Sequence, residues 1–245
     1  MPMQPPRPRQ ARLPLIFAVG GALALLTLGA RADAATLTGN AALTSDYVWR
    51  GSSQSRGDPA VQAGFKLAGD SGVYASVWGS SVEFAPSTHA SSELDFTLGW
   101  AGQLAPDWTL DANLLHYRYP GTTADLNWTE LNGTLTYADR YWLALGYSNR
   151  ALGGRDAGLY TQLGARLPVN ERLRFEAAAG YYRFDRDARS TLQDGYAHGQ
   201  LSAIWAVKAP LELRLSAHAT DRDAERLFGD DYAGDRIEAA LQASF

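Results

Sequence analysis

The chain has no cysteine. That removes disulfides, thiolate catalysis, zinc–thiolate sites and lipid attachment through cysteine. Lysine is almost missing as well. Lys66 and Lys208 are the only two among 22 basic residues. No basic block occurs anywhere, so nucleic acid is not an expected partner. After residue 34 no apolar run reaches the roughly 20 residues that a spanning helix needs. A chain of this kind crosses a bilayer only as a closed barrel, because strands in an open sheet would leave backbone groups unpaired in hydrocarbon.

What is present begins with a leader. Arg7, Arg9 and Arg12 precede the apolar stretch Leu13–Leu28, which Pro14, Gly20 and Gly21 interrupt. Ala32-Asp33-Ala34 follows as a small-residue cleavage site, and Ala30-Arg31-Ala32 competes with it. Residues 1–34 are therefore read as a cleaved signal peptide and residues 35–245 as one domain. Without the leader, 18 basic residues face 25 acidic ones, a net charge of −7.

The remaining chain alternates polar and apolar residues at a period of two, with turn signals between the segments. Twelve segments are expected as strands: Leu37–Trp49, Pro59–Ala68, Val73–Phe84, Glu93–Leu104, Thr109–Tyr119, Trp128–Tyr137, Tyr141–Arg150, Leu159–Leu167, Arg172–Phe184, Gly195–Val207, Leu211–Thr220 and Arg236–Phe245. Each is near the ~9–11 residues that a tilted strand needs to cross a membrane. The connections alternate strictly. Short ones such as Gly69–Gly72 and Ala138–Arg140 follow even strands; longer ones such as Arg50–Asp58 and Asp221–Asp235 follow odd strands. Short periplasmic turns and longer outer loops are the pattern of outer-membrane barrels. The fold class expected is all-β, a transmembrane up-and-down antiparallel β-barrel of twelve strands, placed in the bacterial outer membrane.

Facing follows from parity. Leu211, Leu213 and Leu215 point to lipid while Glu212, Arg214 and His218 point inward. The opposite polarity would put Arg into hydrocarbon, at about 2–4 kcal/mol each near the midplane. The inward charges sort by height. Glu93, Asp95 and Glu130 lie toward the outer mouth with Asp46; Lys66, Asp111, Arg166, Arg172, Arg174, Glu176, Glu212 and Arg214 lie toward the periplasm; Arg236 and Glu238 line the inner face of the last strand. These thirteen, Asp46 aside, are the pore-lining candidates. They either set a field across a constriction or pair into ladders that fill the barrel. Tyr47, Trp49, Trp108, Tyr119, Trp128, Tyr141, Trp142 and Tyr181 stand at strand ends, as interfacial aromatic girdles do. Phe245 completes the apolar face of the last strand and is expected to be the signal read by the barrel-assembly machinery. The other expected partners are outer-membrane lipids, lipopolysaccharide and small hydrophilic solutes.

Residues Ser45-Asp-Tyr-Val-Trp-Arg-Gly-Ser-Ser-Gln-Ser55 resemble the opening motif S-x-Y-x-x-R-G-x-S-Q-S of the TorF-type porins, a proteobacterial family of poorly known function. Pro59-Ala60-Val61-Gln62 matches the P-A-x-Q element that follows it. Gly72, Tyr74, Trp78 and Ser80 match a third stretch, and Glu93, Asp95 and Glu130 fall where the family's acids are expected. The resemblance implies an outer-membrane barrel and names no substrate. Physically, Tyr47, Arg50 and Gly51 read as a rim motif. Arg50 is expected to end the first strand and to latch its loop to an acid such as Glu93 or Asp95.

Catalysis finds little support. The four histidines are His89, His116, His198 and His218; only His89 has Ser two positions later, Ser91, and it sits in a loop. Ser216-Ala-His218 has the reverse order and points inward. The asparates of 221–235 make no regular calcium loop. The chain is thus read as no enzyme, with no cofactor and no metal, and as a porin-like channel for passive diffusion. The alternatives are a closed structural or adhesive surface barrel and, third, a lipid-modifying enzyme of the outer membrane.

Overall fold

The period-two alternation becomes twelve antiparallel strands in the computed structural model, which describes residues 35–186 and 193–245. The expected signal peptide lies outside these residues. The strands are β1 (Thr36–Thr44), β2 (Ala60–Ala68), β3 (Val73–Ser81), β4 (Ser92–Ala105), β5 (Trp108–Arg118) and β6 (Trp128–Tyr137). They continue as β7 (Tyr141–Ser148), β8 (Ala157–Pro168), β9 (Leu173–Asp185), β10 (Gly195–Lys208), β11 (Leu211–Thr220) and β12 (Arg236–Ser244). Each pairs with its neighbours in the chain, and β12 pairs back onto β1 to close the barrel. Closure leaves the barrel without an edge strand among the described residues, so each of its ladders has a partner. Turns 69–72, 106–107, 138–140, 169–172 and 209–210 gather at one end; the longer connections gather at the other.

The outer wall is apolar. Leu37, Leu98, Leu163, Leu201 and Ile237 are each more than 60 % exposed. Such a wall is unfavourable in water by about 1.5–3 kcal/mol per large side chain and favourable in hydrocarbon. At the short-turn end Trp108 and Tyr137 pack at a tilt with centroids 4.8 Å apart, and Tyr141 is also exposed.

Three readings of the sequence need correction. First, β1 stops at Thr44 rather than Trp49. The chain then turns into the barrel, where Val48–Trp49 and Ser52–Ser53 form a minimal hairpin. Asp46, Ser52, Ser53 and Ser55 are buried there. Second, five of the eight supposed girdle aromatics do not face lipid. Trp108, Tyr141 and Tyr181 do, but Tyr119 and Trp128 are buried, Tyr47 and Trp49 pack with them, and Trp142 donates to Gln162 on the inner face. Third, the loop 221–235 carries a helix, α1 (Arg222–Phe228), capped by Asp221, whose carboxylate accepts from Ala224 N–H at 3.0 Å. Its Leu227 and Phe228 pack against the inner aromatic cluster.

Closure also explains the last residue. Gly39 N–H donates to the Phe245 carbonyl at 2.6 Å, and Phe245 N–H returns a bond to Gly39 at 2.9 Å. The Phe245 ring lies over Gly39, so a Cβ there would meet ring atoms at 2.6 Å. Deleting Phe245 therefore removes two seam hydrogen bonds and uncovers backbone to lipid. We expect a several-fold lower yield of heat-modifiable barrel on unheated gels. Equal yield from the truncated chain at native expression would show that the terminal residue does not matter for assembly.

Candidate functional site: the barrel lumen

The lumen is divided along its length. The half at the long-loop end is aromatic and packed; the half at the short-turn end is polar and charged.

The aromatic half follows from parity. Tyr117 shares a face with Asp111 and Asn113, Trp128 with Glu130, Tyr160 with Gln162, and Tyr182 with Glu176. All four are nearly inaccessible. Tyr117 and Trp128 stack at 4.2 Å, and Trp49 meets Tyr117, Trp128 and Tyr182 edge-on at 6.0 to 6.3 Å. The segment 45–58 descends into this packing, and its own groups satisfy it. Asp46 accepts from Ser53, Ser55 and, at 2.9 Å, from Arg236 on β12. Ser53 N–H donates to Tyr232 and Gln54 N–H to Tyr47. A buried loop with irregular backbone requires such bonds. Gly51, at φ 82°, sits where a Cβ would lie 2.6 Å from His198, so this position needs glycine for space and for conformation.

Arg50 is the tip of the segment. Its two terminal nitrogens donate to the two oxygens of Glu130, each at 2.8 Å. The pair is a parallel bidentate fork. Its side chains are 11 % and 0 % exposed. The guanidinium lies 3.8 Å from the Tyr160 ring centroid and 4.3 Å from that of Trp49. Tyr117 adds a third bond to Glu130 at 3.3 Å. Gly146 on β7 leaves the room, since a Cβ there would stand 2.8 Å from Glu130 and 2.9 Å from Arg50. Arg50 thus latches its loop, but to Glu130 and not to Glu93 or Asp95. Those two acids lie on the neighbouring wall, buried, where Tyr119 donates to Glu93 at 3.0 Å. Burial, and then the charges of Glu93 and Asp95, push the Tyr119 hydroxyl well above its ordinary pKa, so it stays a donor.

The polar half holds most of the remaining candidates. Arg166 donates to Glu176 at 2.8 Å, Arg214 to the other oxygen of Glu176 at 3.2 Å, and Arg174 forks onto Glu212 at 2.6 and 2.8 Å. Arg174 also approaches Glu176 at 3.6 Å. Three arginines therefore share two carboxylates across β8, β9 and β11. Arg172 does not join them. It lies in the exposed turn before β9, where the strand's alternation no longer directs it inward. Across the lumen Tyr74 donates to Asp111 at 2.6 Å, and the Lys66 ammonium lies 3.5 Å from the Tyr74 ring centroid. Between these walls and the Arg50 latch is a cavity of about 430 Å³ lined by Lys66, Ser76, Thr97, Asn113, Asn132 and Thr134 among others. A larger depression, about 1020 Å³, lies on the apolar outer wall over Leu163, Ala177, Leu201 and Ile237 and is no part of the lumen.

Glu238 accepts from Thr44 at 3.0 Å and bonds His218 at 2.9 Å. Ser216 bonds Ser202 at 2.9 Å. Ser216 and His218 are thus engaged with different partners. Among the described residues no cluster of three or more acidic, histidine or cysteine side chains is arranged to hold a metal.

The Arg50–Glu130 pair makes a quantitative prediction. Removing one partner leaves the other charged and buried, which costs about 3–5 kcal/mol. Arg50→Ala and Glu130→Ala should each lower the stability of the refolded barrel by that order in denaturant titrations. The double variant should lose clearly less than the sum. Additive losses would mean that the two residues do not depend on each other.

The described geometry has counterparts. The NanC porin superposes with a TM-score of 0.54 over 86 % of this chain and 99 % of its own, at 13 % identity. The KdgM porin, in a complex with disordered oligogalacturonate, superposes with a TM-score of 0.52 over the same shares, at 7 % identity. At such identities the likeness is one of fold, a twelve-stranded porin-type barrel. No curated protein matches the chain in sequence. The profile of a bacterial protein family of unknown function, Gcw_chp, matches residues 29–245, and the chain belongs to that family.

Proposed function

We propose that the protein is an outer-membrane channel that passes small hydrophilic solutes, with the inward segment 45–58 as its constriction. The observation that carries this reading is the polar cavity below Arg50. A barrel that served only as a wall or an anchor has no need of unfilled space bordered by Lys66, Asn113, Asn132 and Thr134. Twelve strands are intermediate between barrels whose side chains fill them and those with a wide aqueous channel. The TorF-type resemblance of residues 45–55 supports the same reading, as does the porin-type fold. The short-turn end is then periplasmic and the long-loop end external. No catalytic role enters this reading, because Ser216 and His218 have separate partners.

The constriction and the ladder have different tasks. The latch sets the width. The ladder, three arginines on two glutamates, leaves a net positive charge at the periplasmic mouth, partly hydrated and so acting by field. Salt screens that field over about 8–10 Å at physiological strength.

Planar bilayers test both. The wild type is expected to show small conductance steps, and Arg50→Ala with Glu130→Ala is expected to enlarge them. Arg174→Gln with Arg214→Gln removes positive charge, so the reversal potential should move toward cations, more at low salt than at high. Absence of steps in the wild type and in the unlatched variant would favour the closed structural barrel instead.

A further inference from the structure

A second cavity, of about 490 Å³, opens at the long-loop end between the segment 45–58, the loops 82–91, 119–127 and 149–156, and α1. Its wall carries Trp49, Phe84, Tyr117, Tyr119, Trp128 and Phe228. Glu93 is its one carboxylate among the described residues, and no lysine or arginine lines it. The volume falls in the usual range of small-molecule sites, about 300–1,000 Å³.

Glu93 is the unexplained group. It is 2 % exposed. Tyr119 serves its Oε1, whereas its Oε2 has no hydrogen-bond partner among the described residues. Asp95 follows on the same inward face, also buried, with Oδ1 unserved. Tyr119 bonds Glu93, and no ion pair reaches either acid among the described residues. That contrasts with every other buried acid of this end: Asp46 has Arg236 and Glu130 has Arg50. A buried carboxylate without a counter-charge is costly. A positive ligand would relieve the cost at this point.

The wall narrows the class of that ligand. Aromatic faces attract desolvated organic cations, and rings around an acid are how ammonium groups are commonly held. A bare divalent ion would find too few oxygens here. An anionic solute would meet Glu93 with the wrong sign. We infer that this mouth cavity binds a small organic cation, an amine with an apolar body, its ammonium against Glu93 and its body on the aromatic wall. This goes beyond conduction and does not depend on it: a barrel silent in bilayers would keep the site.

The test uses benzylamine, benzyl alcohol and benzoate, which share a ring and differ in charge. Binding to the refolded barrel in detergent micelles is measured by titration calorimetry against empty micelles. Benzylamine should bind at least tenfold more tightly than either of the others, and Glu93→Gln should abolish that preference. Ala85→Trp, introduced at an exposed loop position that lines the cavity, should fill it and remove benzylamine binding. If Glu93→Gln gives no heat-modifiable barrel, the Ala85→Trp comparison decides alone. Benzylamine bound no better than benzyl alcohol, or bound equally by Ala85→Trp, would overturn the assignment.

Discussion

A guanidinium and a carboxylate removed from water require each other, and the Arg50–Glu130 fork is where this chain meets that demand. The attraction repays desolvation only with good geometry and with the remaining hydrogen-bond capacity satisfied. Both conditions shape the surroundings. Tyr117 donates to Glu130, Trp49 and Tyr160 stack against the guanidinium, and Gly146 keeps the space clear. The segment that carries Arg50 must then leave the rim and descend. Its backbone and serines find partners there in Asp46, Tyr232 and Tyr47, and Asp46 in turn holds Arg236. A conventional extended loop at this place would strand Glu130 as an unpaired charge inside the barrel.

The same interaction explains why the lumen is polar at one end and aromatic at the other. The descending segment needs walls that exclude water, and Tyr117, Trp128, Tyr160 and Tyr182 supply them. Below it water is admitted, and charges pair across strands where they stay partly hydrated, as Arg166, Arg174 and Arg214 do with Glu176 and Glu212. The latch and the charged ladder are thereby separated in space, and each can be altered by substitutions that leave the other in place.

Much of the fold was legible in the sequence. The strands, their number, the alternating loop lengths and the outward Leu, Val and Ile positions depend on local alternation, and alternation is local information. The charges of the ladder also followed from parity, apart from Arg172, which stands beyond the strand where parity ceases to apply. The aromatic half was available by the same rule and was missed. Tyr117 has the parity of Asp111, and Trp128 that of Glu130, so both had to face inward; their place near strand ends suggested girdles instead. The partner of Arg50 was not available. Glu130 is 80 residues away and meets it only through barrel closure and the inward bend after Thr44. Glu93 and Asp95 stand at the same height on a nearby strand and looked equally suitable. Nor did the aspartates of 221–235 announce that one would cap a helix.

The central claim is that residues 45–55 lie inside the barrel and not on its rim. A chain without cysteine gives a clean background for testing it. Ser52 is 5 % exposed within the lumen, while Asp58, at the end of the same segment, is exposed. Single Ser52→Cys and Asp58→Cys variants, expressed in intact cells and treated with a bulky hydrophilic maleimide, report the difference directly. The account predicts rapid labelling at position 58 and labelling at least tenfold slower at position 52, recovered on heating in detergent. Equal rates at both positions in the folded barrel would contradict it.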